Sequence, residues 1–276
     1  ARSAGIPVPA TYRAELSTNG ETLNASVAFP AIVKPQIGNS AKGVFIVSSP
    51  AECSEKIGFL RSRYGLDGDR GPIVQEYVEG PGYGVCVLFC HGELRAAFCE
   101  RYLLSKEGRL GTSVLRESVE RPDLVEHART LLEPLGWHGV AHLDFIHDEE
   151  RDRQVLIEVN PRFWGALDLA VAAGVDFPWL LYRMALEGDV DLVTEYRLGV
   201  RSRWLVGELI HLVHAARMEG LSGIGSAFWG MLRRRAQSHD DFRWSDPVPL
   251  FAEMLYYGRR FARSGSTNPI DVGMIG

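Results

Sequence analysis

Two carboxylates and an amide could together hold a hard metal cation. They are Asp144 in Ala-His-Leu-Asp-Phe, and Glu158 and Asn160 in Leu-Ile-Glu-Val-Asn-Pro-Arg. Residues two apart on a strand share a face, so Glu158 and Asn160 point the same way, and hairpin pairing can bring Asp144 beside them. Such oxygen donors suit magnesium, which keeps several waters and takes its remaining ligands from a nucleotide's phosphates. The bland alternative is a set of solvated residues on the outer face of a half-exposed sheet. It is weakened by Pro161 and Arg162, which continue an ordinary strand poorly. Arg162 also offers a planar fork of donors to phosphate or carboxylate oxygens.

Other candidates lie upstream. Lys34 ends the apolar run Phe-Pro-Ala-Ile-Val-Lys, where a phosphate would compensate its charge. Taken alone, it reads better as a strand-end lysine reaching into water. Gly38 and Gly43 flank Lys42 in a loop that lets backbone N–H groups approach phosphate oxygens, although it is not a GxxxxGK[ST] loop. Gln75-Glu76-Tyr77-Val78 precedes the Gly80-Pro81-Gly82 break. A segment there can present backbone groups to a flat purine edge, or can simply be a strand ending at a turn. Arg101 and Arg116 flank an expected loop over 105–113 and are candidate substrate contacts, or equally surface arginines. His138 and His142, and likewise His211 and His214, read as structural, and Cys86 and Cys90 as core residues sharing a strand face.

The elements that must position these groups follow from periodicity. Strands are expected at 29–34, 43–48 and 72–78, with a helix over 51–64 started by Ser49 or Ser54. An antiparallel pair is expected over 83–90 and 94–100, and a helix over 122–135 with Pro122 in its first turn. Strands at 139–146 and 154–159 form the acidic hairpin, and helical pattern follows at 177–186 and 203–218. The expected division is a small lobe over 1–78, a large lobe with the metal site over 79–190, and a helical C-terminal extension over 191–276.

Composition narrows the functional classes. The chain has 276 residues, 46% of them hydrophobic, enough to bury a core. A net charge of −5 provides no global positive field for nucleic acid. Four cysteines without a CxxC pair favour a reducing cytosol, hence a cytoplasmic location, and no apolar run approaches a membrane span. The start at Ala1 suggests a missing N-terminal region.

The ordered set Phe-Pro-Ala-Ile-Val-Lys-Pro, glycine loop, Val-Gln-Glu-Tyr-Val-Glu-Gly, Asp144 on a strand, and Ile-Glu-Val-Asn-Pro-Arg resembles the ATP-grasp superfamily across residues 1–190. Asn-Pro-Arg-Phe-Trp-Gly, Gly-Val-Asp-Phe-Pro at 174–178 and the segment 241–249 are similar to carboligases associated with polysaccharide and cell-envelope pathways. The resemblance implies an α+β fold in which two α+β lobes hold ATP between them, followed by a helical tail. It implies phosphate contacts from Lys34, Lys42 and Gly43. Gln75 would meet the adenine amine, with Glu76, Tyr77 and Val78 along the purine edge. Asp144, Glu158 and Asn160 would bind magnesium, with manganese as a substitute, and Arg162 with Lys34 would act on the transferring phosphoryl group. The implied reaction is ATP-dependent activation of a small-molecule carboxylate for attack by an amine or other nucleophile; homo-oligomerisation is left open. Two positions depart from the pattern: Tyr83 stands where many members carry a ribose-binding residue, and Asp144 replaces the more usual Glu. The competing readings are an inactive nucleotide sensor and an envelope-pathway scaffold.

Overall fold

The structure is a computed structural model that describes residues 1–13, 15–17, 20–22, 27–38, 41–107 and 110–264. Asn39 and Ser40 of the glycine loop lie outside the described residues, as do Gly108 and Arg109. The chain divides into two units, one formed by residues 9–79 and the other by residues 1–8 and 80–264.

The smaller unit holds β1 (Thr11–Arg13), β2 (Ala31–Lys34), β3 (Phe45–Val47), α1 (Pro50–Tyr64) and β4 (Ile73–Glu76). Its antiparallel sheet has the order β1-β4-β2-β3. Ala31 and Val33 are buried while Ile32 and Lys34 are half-buried, the period-two alternation of a sheet covered on one face. The cover is α1, whose Cys53, Ile57 and Leu60 recur at helical spacing and pack on that face. Ser49 caps this helix by accepting a hydrogen bond from the Glu52 N–H at 3.2 Å.

The larger unit is built on a seven-stranded sheet. Its elements are β5 (Gly82–Cys90), β6 (Glu93–Glu107), β7 (Leu110–Ser118), α2 (Pro122–Leu132), β8 (Gly139–Asp148), β9 (Arg153–Asn160), α3 (Leu167–Ala173), α4 (Phe177–Glu187), β10 (Arg201–Arg203), α5 (Leu205–Arg233), β11 (Ser238–His239) and α6 (Val248–Ser264). The strand order is β9-β8-β5-β6-β7-β10-β11, antiparallel except for the β10–β11 pair. The near-continuous apolar run of β5 is explained by burial on both faces. Val85, Val87 and Phe89 pack against Leu124, Ala128 and Leu132 of α2. Cys86, Leu88 and Cys90 face the layer formed by α3 and α4. Each fully buried large side chain contributes about 1.5–3 kcal/mol.

Residues 1–8 belong to this unit. The Leu156 N–H of β9 donates to the Pro7 carbonyl at 2.9 Å, and the His147 N–H of β8 donates to the Pro81 carbonyl at 3.0 Å.

Two expectations are revised. The segment 105–113 is the far end of the β6–β7 hairpin rather than a free loop, because the strands pair as far as Glu107↔Leu110. Residues 191–264 group with the larger unit instead of standing apart. Strand β10 pairs with β7, and Ser202, on that strand, donates to Asp240 at 2.6 Å.

Candidate functional site

The hairpin of β8 and β9 has Asp144 directly opposite Glu158 and His142 directly opposite Asn160. On its other side β8 pairs with β5, where Gly84 lies opposite Asp144, and Gly84 in turn lies opposite Glu100 of β6. Asp144, Glu100 and their strand neighbours therefore rise from one face around a glycine. A Cβ on Gly84 would lie 2.7 Å from His142 Nε2 and 2.8 Å from both Glu100 Oε1 and the Tyr102 hydroxyl. The absent side chain is what gives these groups room to converge.

The convergence is dense. The Asn160 side-chain amide donates to Asp144 Oδ2 at 3.2 Å and to Glu158 Oε1 at 2.8 Å. The Tyr102 hydroxyl donates to Asp144 Oδ1. His142 has Nδ1 3.4 Å from Asp144 Oδ2 and Nε2 3.5 Å from Glu100 Oε1. Arg162 donates through Nη2 to Asn160 Oδ1 at 3.1 Å and through Nη1 to the Phe163 carbonyl at 2.8 Å. The Trp164 ring stacks on His142 with centroids 5.5 Å apart.

Burial works against the charged form of His142, but the Asp144 charge and hydrogen bonds to Asp144 and Glu100 outweigh it and push its pKa up to about 10. Asp144 shows the reciprocal balance. Its burial favours the neutral acid, yet the His142 charge and hydrogen bonds from its neighbours hold it below the ordinary carboxylate value. Burial, followed by the Asp144 and Glu100 charges, raises Tyr102 well above an ordinary phenol, so it acts as a fixed donor. Two buried polar atoms in this neighbourhood, Glu100 Oε2 and the Trp164 indole N–H, lack a hydrogen-bond partner among the described residues. Buried polar atoms of this kind call for a water or a ligand.

The donor set fits a magnesium ion. Carboxylate oxygens of Asp144 and Glu158 share one amide group, so they already point at a common locus. The amide of Asn160 presents nitrogen to that locus; turning it over would present oxygen and release Arg162 Nη2.

The remaining candidates are dispersed. Arg116 is buried and ion-paired with Asp240, and it also donates to the Ser113 carbonyl, so it binds the C-terminal segment to β7 and is no surface arginine. Arg101 is exposed on β6, opposite Tyr83 and Glu117. Tyr83 carries the Arg121 guanidinium over its ring at 4.3 Å. In the smaller unit, Lys34 ends β2 opposite Ile73, and Lys42 sits between Ala41 and Gly43, both of positive φ. Gln75 donates to Thr11 Oγ1 at 2.9 Å, Glu76 exchanges hydrogen bonds with Ala10, Tyr77 is half-buried and Val78 is buried.

Sequence reasoning had set His142 aside as structural and had not considered Tyr102, Glu100 or Gly84. A signal for His142 was present: it lies two residues before Asp144 and so shares its strand face.

Comparison with known proteins places this hairpin in context. A protein of Sinorhizobium fredii (strain NBRC 101917 / NGR234), y4rH, described as uncharacterized, is 26% identical over 200 residues, covering 70% of this chain and 38% of its own length. Biotin carboxylase of Campylobacter jejuni, solved as a β-γ-ATP complex, superposes with a TM-score of 0.59 at 19% identity over 72% of this chain and 47% of that one. An L-amino acid ligase of Bacillus licheniformis gives 0.56 at 19% identity, covering 67% and 47%. The biotin carboxylase domain of Hydrogenobacter thermophilus 2-oxoglutarate carboxylase, solved with MgADP and bicarbonate, gives 0.57 at 16% identity, covering 72% and 46%. These likenesses establish the ATP-grasp fold, and the chain spans less than half the length of each of these proteins. Residues 70–208, half of the chain and the part containing the whole acidic hairpin, match the family described as ATP-grasp in the biosynthetic pathway with Ter operon. The chain belongs to this ATP-grasp family.

Proposed function

We propose that this chain is the nucleotide- and metal-binding core of a ligase that uses ATP to activate a carboxylate as an acyl phosphate, which an amine or other nucleophile then attacks. The observation that carries the reading is the shared locus of Asp144, Glu158 and Asn160 beside Arg162, in a chain of this family. Asp144, Glu158 and Asn160 would hold magnesium, which when bound neutralises charge on the phosphates. Lys34 and Lys42 would bind phosphate oxygens, with Gly43 supplying a close backbone approach. Gln75 would meet the adenine amine, and Glu76, Tyr77 and Val78 its edge; Tyr83 is not carried over to the ribose, since it packs on the α2 face with Arg121 over its ring. Arg162, released when the Asn160 amide turns, would orient the carboxylate and stabilise charge on the transferring phosphoryl group. Arg101 and Arg116 are both withdrawn as substrate contacts: Arg101 lies between Glu100 and Tyr102 and so points to the opposite face of the sheet, and the Arg116 guanidinium is buried against Asp240. Formation of a carbon–nitrogen bond is the favoured outcome, in keeping with the likeness to an L-amino acid ligase. The chemistry is positioning and electrostatics, with no nucleophilic side chain required.

Calorimetric titration with ATP, with and without magnesium, tests the reading on the chain and on Glu158→Gln. Magnesium-dependent binding that is lost in the variant supports it. Equal binding in the two proteins sinks the metal assignment, and absence of nucleotide binding to the full-length protein sinks the function.

A further inference from the structure

Helix α6 and the part of α5 beyond Gly220 turn apolar side chains outward. On α6, Val248, Phe251 and Leu255 fall on one stripe at helical spacing, continued by Gly258, Arg259 and Ala262, and all six are exposed. Phe251 is 65% and Leu255 53% exposed. The opposite side, which should be the more apolar, carries Glu253 and Tyr257. Glu253 accepts a hydrogen bond from the Trp204 indole at 3.1 Å, and Tyr257 packs edge-on against that ring. The second half of α5 repeats the inversion after a break at Gly220, whose φ of 66° is non-helical. Ile224, Phe228 and Leu232, spaced four apart, are exposed together with Trp229, while Gly223 is buried and Ala227 and Met231 are half-buried. Between the helices Trp244 is 92% exposed. A surface helix ordinarily shows the reverse arrangement.

The charge on the same segment selects what covers it. Residues 217–264 carry eight arginines against five acids, a net +3, whereas the rest of the chain carries −8. Arg233, Arg234, Arg235, Arg259 and Arg263 are exposed, and Arg233 lies over the Trp229 ring at 4.8 Å. Three of the five acids turn inward: Asp240 to Arg116, Asp241 to the Leu205 and Val206 N–H groups, and Glu253 to Trp204. Exposed phenylalanine, leucine and tryptophan interleaved with arginine match an anionic lipid surface, with rings at the headgroup level and guanidinium groups on phosphates. A second copy fits less well, since a two-fold contact would oppose like charges. No single helix among the described residues is long and apolar enough to cross a membrane, so the mode is attachment in the plane of the interface.

We infer that α5 beyond Gly220 and α6 form an amphipathic attachment surface for anionic membranes.

Flotation with vesicles of phosphatidylcholine alone, or with about a third phosphatidylglycerol, tests it on the full-length protein. The expected result is co-flotation with the anionic vesicles, a blue shift of tryptophan emission, and weakening in high salt. The double variant Phe228→Glu with Phe251→Glu should lose binding while circular dichroism and nucleotide affinity stay unchanged. Replacing Arg233, Arg234 and Arg235 by Gln should weaken anionic binding by about fivefold per arginine. The inference is overturned if the vesicles are ignored, if the Glu double variant floats equally well, or if the outward faces are consumed in a dimer that shows no vesicle affinity. It is overturned as well if only the isolated chain floats and the full-length protein does not, because the faces then cover a segment of the protein itself.

Discussion

The larger unit contains two polar networks, each with buried members, that differ in one respect. At Arg116 the oxygens of Asp240 and Asp241 are all bonded: Asp240 takes Arg116 on one oxygen and the Ser202 hydroxyl on the other, and Asp241 takes the backbone N–H groups of Leu205 and Val206, while Glu208 near them is ion-paired with Arg203 at 3.4 Å. Around Asp144 three carboxylates, the half-buried Asp144, the exposed Glu158 and the buried Glu100, share one imidazole, one amide and the Tyr102 hydroxyl, and Glu100 Oε2 has no hydrogen-bond partner among the described residues. A closed network of this kind fastens β10 and the start of α5 to the sheet. The open one has more carboxylates than cationic partners, the balance that the proposed magnesium site requires.

Four experiments sharpen or break this contrast. Arg116→Ala should have the largest effect, a loss of about 3–5 kcal/mol of stability in denaturant unfolding, because it leaves Asp240 buried and unpaired. Nucleotide affinity of the protein that remains folded should be unchanged, and a selective loss of affinity would return Arg116 to the substrate site. Glu158→Gln should do the opposite, reducing ADP release by about a hundredfold or more while the melting temperature barely moves. Gly84→Ala should cost about 1–3 kcal/mol through overpacking and also weaken magnesium-dependent ATP binding, since the new methyl meets His142, Glu100 and Tyr102 together. A variant with wild-type affinity would show that the cluster tolerates displacement.

The smallest effect is a pH dependence. Burial, only partly offset by the Arg203 and Arg234 charges, raises Glu208 from an ordinary 4.5 to about 7. The folded state thus binds a proton that the unfolded state releases, so stability should fall as pH rises from about 4.5 to about 7 and level off above that. Glu208→Gln should flatten that part of a pH series of unfolding curves, and an unchanged slope would assign the dependence to other groups.

The fold was legible where a single period dominated. The short β-branched runs at 29–34 and 43–48, and the helix expected over 51–64 behind Ser49, gave the smaller unit's sheet and its covering helix, and Glu158 with Asn160 gave a shared face. The pairing of Asp144 with Glu158 was expected from the hairpin and is observed as a direct register pair. What could not be read was whatever depends on strands distant in sequence. Tyr102 reaches Asp144, and Glu100 reaches His142, only because β6 and β8 flank β5, and Gly84 matters only because of what lies on either side of it. Arg116 was misjudged for the same reason, its partner Asp240 being 124 residues away. The outward faces of α5 and α6 were also hidden, since periodicity gives a stripe but not the direction in which it points.

The two bonds from Leu156 to Pro7 and from His147 to Pro81 have a practical consequence. Gln154 pairs with His147 and lies two residues from Leu156, so the chain leaves the larger unit and re-enters it beside neighbouring positions of one hairpin. Residues 9–79 are thus an insert in the sequence of the larger unit, whose flanking residues Pro7 and Pro81 bond to the acidic hairpin. A short glycine-serine bridge from Val8 to Gly80 would excise the insert and leave a continuous polypeptide, a minimal module in which the proposed magnesium site can be tested without the lysines.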